Sequence, residues 1–303
     1  MRRYALGIAM ALMVGQAEAA IDVLVPAYSN PCCGPMWSGL ISAAGAGGFT
    51  LDVIFNPASG PGTSVDPNYL KNGKGPLVDV KAAGGVVYGY VATSYGTKSI
   101  AAAEAEIDRY FNTLYAGHID SIFFDEMSND LSKVGYYQTL RDYVRSKNPT
   151  AKVIGNPGTS FVYASGSTAF TVADYAASMD VLVTFESTGS QYLTNYTPPS
   201  WVSTLSADHF ANIVHTQPTW DDSLVALAAA RNVGMFYATN DVLVNPYDQL
   251  PSYWNAELAA ITAYNTPAPI PEPSSLSLLS IGVLGTIGYS WHLRRRQGDV
   301  QSN

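Results

Sequence analysis

Eight short apolar runs, rich in β-branched and aromatic residues, punctuate residues 21 to 240, and helical patterns separate them. They read IDVLVPAY (21–28), TLDVIFNP (50–57), VVYGYVAT (86–93), IDSIFFDE (119–126), KVIGNPG (152–158), DVLVTFE (180–186), ANIVHTQ (211–217) and VGMFYATN (233–240). Runs of this length and composition are strands. Helical stretches are clearest at 97–116, 131–147, 220–231 and 249–263, with Asp130 and Asp221 where N-caps are expected. Eight strand–helix alternations predict an α/β fold: a parallel (β/α)8 TIM barrel, forming one domain over residues 20–264. The competing arrangement, an open doubly wound sheet, lacks a phosphate-binding Gly-rich turn after its first strand.

Both ends read as addresses rather than fold. Arg2 and Arg3, an apolar stretch to Gly15 and then Ala17-Glu18-Ala19 have the layout of a secretory signal peptide over residues 1–19. A Pro-rich linker covers 265–273, and an apolar segment from about Leu276 to Trp291 ends in Arg294-Arg295-Arg296. Hydropathy reads the 274–303 tail as a marginal transmembrane helix with its basic end in the cytoplasm. The order Pro271-Glu272-Pro273, apolar segment, arginines resembles the PEP-CTERM sorting tail of exopolysaccharide-producing Gram-negative bacteria. That resemblance implies an exosortase as processing partner and delivery to the surface or matrix; a plain C-terminal anchor is the alternative. In either case the body faces outward, secreted or at the cell surface, touching membrane only through its tail.

The formal charge of −8 becomes more negative without the arginine-rich ends, which argues against a nucleic-acid partner. The cysteines are the adjacent Cys32 and Cys33, which cannot form a disulfide framework. They are either a vicinal disulfide or two thiols.

A barrel gives polar residues a meaning that depends on position, because sites form at the C-terminal ends of the strands. Asp22, Asp52, Asp120 and Asp180 open strands and read as caps or pairs on the opposite face. Tyr28, Asn56, Tyr95, Asp125, Glu126, Asn156, Glu186, His215, Gln217 and Asn240 fall at strand ends or just beyond, and converge on one mouth. No HExxH, clustered His or Cys spacing points to a metal, no G-x-S-x-G marks a serine nucleophile, and no cofactor is implied. Carboxylates remain. Asp125, Glu126 and Glu186 come from two strands of one rim, and glycoside hydrolysis needs two carboxyl groups. Solvated loop acids or helix caps are the alternative reading. Candidate aromatic platforms for sugar faces are Tyr28, Trp37, Tyr95, Trp220 and Tyr237, although each alone is more often core or helix packing than a subsite; Trp201 and Trp254 read as packing.

FNPASGPG with DPNY, GYVATSYG, IFFDE, NPGT, TFE, VHTQ and NPYDQLPSYW stand in the order seen in the spherulin-4 family, from about Val25 to Trp254. The chain thus resembles that family, which includes glycoside hydrolase family 135 and its endo-α-1,4-N-acetylgalactosaminidases. The resemblance implies a (β/α)8 barrel and an endo-acting glycosidase whose substrate is an amino-sugar polysaccharide. It implies Asp125 as nucleophile, Glu186 as acid/base and Glu126 as a residue shaping the site. AYSNPCCGPMW, with its Cys pair, departs from the family pattern where the substrate groove would lie. A non-catalytic glycan-binding or structural matrix protein is the alternative.

Overall fold

A computed structural model describes residues 19–266. The proposed signal peptide (but for Ala19) and the tail beyond Thr266 lie outside the described residues. Eight parallel strands close in chain order: β1 (Asp22–Ala27), β2 (Leu51–Phe55), β3 (Val86–Ala92), β4 (Ser121–Asp125), β5 (Ile154–Gly155), β6 (Val181–Thr188), β7 (Phe210–His215) and β8 (Met235–Ala238), with β8 pairing back onto β1. The helices are α1 (Met36–Ala44), α2 (Pro76–Ala82), α3 (Ile100–Asp108), α4 (Val134–Lys147), α5 (Val172–Ala176), α6 (Gly189–Thr194), α7 (Ser223–Ala230) and α8 (Trp254–Asn265). This is the (β/α)8 barrel that the alternation predicts. Among the described residues no helix is long and apolar enough to cross a membrane.

Local chemistry sets these elements. In α4, Val134, Tyr137, Leu140 and Val144 recur at helical spacing and form its buried stripe. Asp130 accepts from Ser132 N at 2.9 Å to open the turn that leads into it, and Asp221 accepts from Ser223 N at 2.9 Å at the entry to α7. At the N-terminal end of the barrel, carboxylates cap neighbouring strands. Asp22 accepts from Thr50 N, Asp120 from Val87 N and Asp180 from Val153 N, at 2.8, 2.9 and 2.8 Å. Lys81 pairs with Asp120 at 2.7 Å, and Arg145 pairs with Asp180. These acids do structural work, as their position implies.

Side chains alternate across each strand, so register decides which enter the barrel. Tyr90 pairs with Phe123, and their rings stack 6.3 Å apart. Asp125 lies two residues beyond Phe123 and shares its side. Phe123 also pairs with Ile154, which places Asn156 on that side as well. In β6 the alternation breaks. Val183 pairs with Ala211 but Phe185 pairs with Asn212, leaving Thr184 as an extra residue. This bulge sends Phe185 outward against Tyr192 and Tyr196, and turns Glu186 inward opposite Ile213. Without it, strict alternation would point Glu186 at the helices.

Candidate active site

The mouth is organised around one amide. Asn156 Nδ2 donates to Asp125 Oδ1 at 2.9 Å and to Glu186 Oε2 at 2.6 Å. Because both oxygens touch one nitrogen, their separation cannot exceed the sum of those bonds, about 5.5 Å, the range of paired carboxyls in retaining glycosidases. Asn156 is itself fixed, since its Oδ1 accepts from Gly158 N at 2.9 Å. Two phenols complete the pair: Tyr90 donates to Asp125 Oδ2 at 2.8 Å and Tyr247 to Glu186 Oε1 at 2.6 Å. Tyr28 sets its ring edgewise to both, with centroids 5.7 Å from Tyr90 and 5.6 Å from Tyr247.

Electrostatics bears on Glu186 and on the two phenols. Burial pushes the Glu186 carboxyl above the usual carboxylate range; its bonds from Asn156 and Tyr247 pull it back, and the Asp125 charge adds to the rise. Burial, with the Asp125 charge next, raises Tyr90; burial, with the Glu186 charge next, raises Tyr247. Both phenols are therefore donors to the acids. The arrangement combines a carboxyl whose burial favours its protonated form with a second carboxyl a few ångströms away.

Other expected site residues have different places. Glu126 adopts a left-handed conformation (φ 50°) and is half-buried; its carbonyl accepts from Tyr95 N at 2.7 Å and from Thr93 Oγ1 at 2.8 Å. Tyr95 sits on the rim, 63% exposed. His215 is buried at the end of β7, where burial lowers its pKa and Nδ1 meets Thr216 Oγ1 at 2.9 Å. Several polar groups tie loops. Asn56 accepts from Gly60 N, Asn240 from Ser252 N, and Gln217 donates to the Thr219 carbonyl. Trp220 is half-buried against Tyr253 and donates to Asp222.

Two aromatic expectations are corrected. Tyr237 is fully buried in a T-shaped contact with Trp254, and Trp37 is buried among Phe55 and Tyr69 with Nε1 donating to the Ser29 carbonyl. Neither offers a ring face to a ligand. The residues missed by sequence reasoning are Tyr90 and Tyr247. The first is hidden inside an apolar strand, and the second lies in the NPYDQLPSYW segment with no spacing that singles it out. Cys32 and Cys33 are joined as a vicinal disulfide in the turn after β1. Among the described residues, the exposed large apolar side chains other than Leu205 (Tyr95, Phe161, Tyr163, Val242, Leu243 and Val244) all belong to loops that follow strands, on the rim bearing the acids.

Fold and mouth together define a (β/α)8-barrel protein with a bridged carboxyl pair at the C-terminal end of its strands. Residues 22–261 match the spherulation-specific family 4, and the chain belongs to this spherulin-4 family. It is 31% identical over 257 residues to Spherulin-4 of Physarum polycephalum, covering 81% of this chain and 71% of that protein. The crystal structure of Aspergillus clavatus Sph3 in complex with GalNAc shares the fold, with a TM-score of 0.65 at 20% identity over 80% of this chain and 98% of that one. Residues 269–296 match the PEP-CTERM protein-sorting motif.

Proposed function

We propose that this protein is an exported glycoside hydrolase that cleaves an amino-sugar polysaccharide by a retaining, two-carboxyl mechanism. The observation that carries the reading is the single Asn156 nitrogen bonded to both Asp125 and Glu186. In the first step Glu186 gives its proton to the glycosidic oxygen while a free lone pair of Asp125 attacks the anomeric carbon, forming a glycosyl ester and releasing one sugar chain. Glu186, now ionised, takes a proton from water, whose oxygen attacks the same carbon and frees Asp125. Burial of Glu186 favours the protonated start of this cycle, while Tyr90 and Asn156 hold Asp125 in place.

The GalNAc complex of the structurally similar Sph3 supports an N-acetylgalactosamine- or galactosamine-containing substrate. The sorting motif supports a surface or matrix location, reached through the signal peptide and an exosortase acting on the tail. The test is release of reducing ends from α-1,4-linked polymers of galactosamine, N-acetylgalactosamine and galactose. The reading expects cleavage of at least one of the two amino-sugar polymers. Binding without release would assign a glycan-binding module instead, and cleavage of the galactose polymer alone would refute the amino-sugar assignment.

A further inference from the structure

Barrel closure sets β1 beside β8, and the loops that follow these strands flank a groove of about 730 Å³. Cys33, Met36 and Ser38 line it from the β1 side, and Asn245, Gln249 and Leu250 from the β8 side. Tyr28 belongs both to this wall and to the ring cluster around the acids, because it contacts Tyr90 and Tyr247. The groove thus borders the ring cluster around the carboxyl pair yet contains neither acid. Its volume lies in the range of pockets that bury a drug-sized ligand, the bulk of a short oligosaccharide. Its wall mixes sulfur and aliphatic surface with amide and hydroxyl groups, the combination that a pyranose needs for its apolar face and its ring hydroxyls. The one charged side chain in that wall is Asp248, and no cation lines it. A uronic acid would bring a carboxylate with nothing to neutralise it, whereas a neutral or amine-bearing sugar meets no such cost.

We propose that this groove is a remote subsite that binds neutral or amine-bearing sugar units of the polysaccharide beyond those at the carboxyl pair. The proposal rests on the glycosidase reading. The Cys32–Cys33 turn, held by Asn30 Oδ1 accepting from Cys32 N at 3.1 Å, forms part of its wall. A polymer lying across the mouth would then be gripped on the β1–β8 side while its scissile bond rests between Asp125 and Glu186.

Ser38→Trp tests this. Ser38 is exposed on α1 and its hydroxyl donates only within its own turn, to the Pro35 carbonyl, so an indole there fills the groove without touching the acids. Gln249→Ala removes a polar contact from the opposite wall and supplies a second variant should the first fail to fold. The full-length protein is assayed on α-1,4-linked galactosamine and N-acetylgalactosamine oligosaccharides of increasing length, measuring kcat/KM for each and, in an Asp125→Asn background, affinity by titration calorimetry. The expected result is a loss of about tenfold or more for the longest oligosaccharides with Ser38→Trp, a smaller loss with Gln249→Ala, and near-unchanged values for the shortest substrate cleaved. Polygalacturonate should not compete. A folded variant whose loss is absent, or equal at every length, overturns the subsite and leaves the hydrolase standing. A wild-type protein that neither binds nor cleaves any of these sugars overturns the hydrolase and the subsite together.

Discussion

Asn156 bonds both Asp125 and Glu186 through a single nitrogen, and each acid can be replaced by its amide with little change of shape. Asp125→Asn and Glu186→Gln should each lower turnover by roughly two to four orders of magnitude, with melting temperatures close to wild type. Near-normal turnover in either variant would take the chemistry away from that residue. Tyr247 refines the expectation. Its bond lowers the Glu186 pKa against the rise from burial, so Tyr247→Phe should raise that pKa further. Turnover in the proposed cycle needs protonated Glu186, and its alkaline limb should therefore move to higher pH in a pH–kcat/KM profile. A limb that moves to lower pH would show that the phenol does not act on the acid in this way. Asp125 could be read from the chain because an acid abruptly ends an apolar strand. The phenols that hold the pair could not, because their contacts join positions 35 and 61 residues apart in the sequence. Tyr237 departs from its expected place for the converse reason: a strand-end position does not fix exposure, and Trp254 packs beside it in a T-shaped contact.

The strands carry a second lesson in β6. Glu186 is expected at the mouth from its strand-end position, but unbroken alternation along DVLVTFE would put Phe185 inside and Glu186 outside; the extra residue Thr184 exchanges them. No local signal marks that bulge, because its cause is pairing with Ala211 and Asn212 of the next strand. The eight strands themselves were visible as apolar runs, although β5 pairs over only two residues of its run. The acids that open strands behave differently from those that end them. Asp120 holds Lys81 and the Val87 amide far from the mouth, so Asp120→Asn should cost about 1–2 kcal/mol in chemical denaturation and leave kcat within about twofold. Asp52 gives a pH signature. Burial, with the Asp22 charge next, raises its pKa from 3.8 to about 7. The folded state then binds a proton that the unfolded chain releases, so the contribution of Asp52 to stability is full below about pH 4 and is lost as pH rises through about 7. Asp52→Asn, neutral throughout, should melt near wild type at pH 4 and become the more stable protein by roughly 2–4 kcal/mol above pH 7. Parallel melting curves across that interval would contradict the burial argument.

The described barrel closes on itself at its two ends of chain. Asn265 receives the Ile21 amide at 2.8 Å and donates to the Ile21 and Gly48 carbonyls, each at 2.8 Å. A chain ending at Thr266 keeps this clasp and should be soluble and as active as the full protein, whereas one ending at Tyr264 should melt several degrees lower. Loss of folding in the longer of the two would move the domain boundary into the Pro-rich segment. The whole account rests on one barrel bringing two acids to opposite sides of a glycosidic bond, at a separation too short to admit a water between them and the sugar. The anomeric configuration of the first product measures this most directly, by proton NMR during the opening minutes of cleavage of an α-1,4-linked N-acetylgalactosamine or galactosamine polymer. The account predicts that α-anomeric reducing ends appear first, with β signals growing only as mutarotation proceeds, and that Asp125→Asn and Glu186→Gln give neither. First appearance of the β anomer, or full release by both variants, would contradict it.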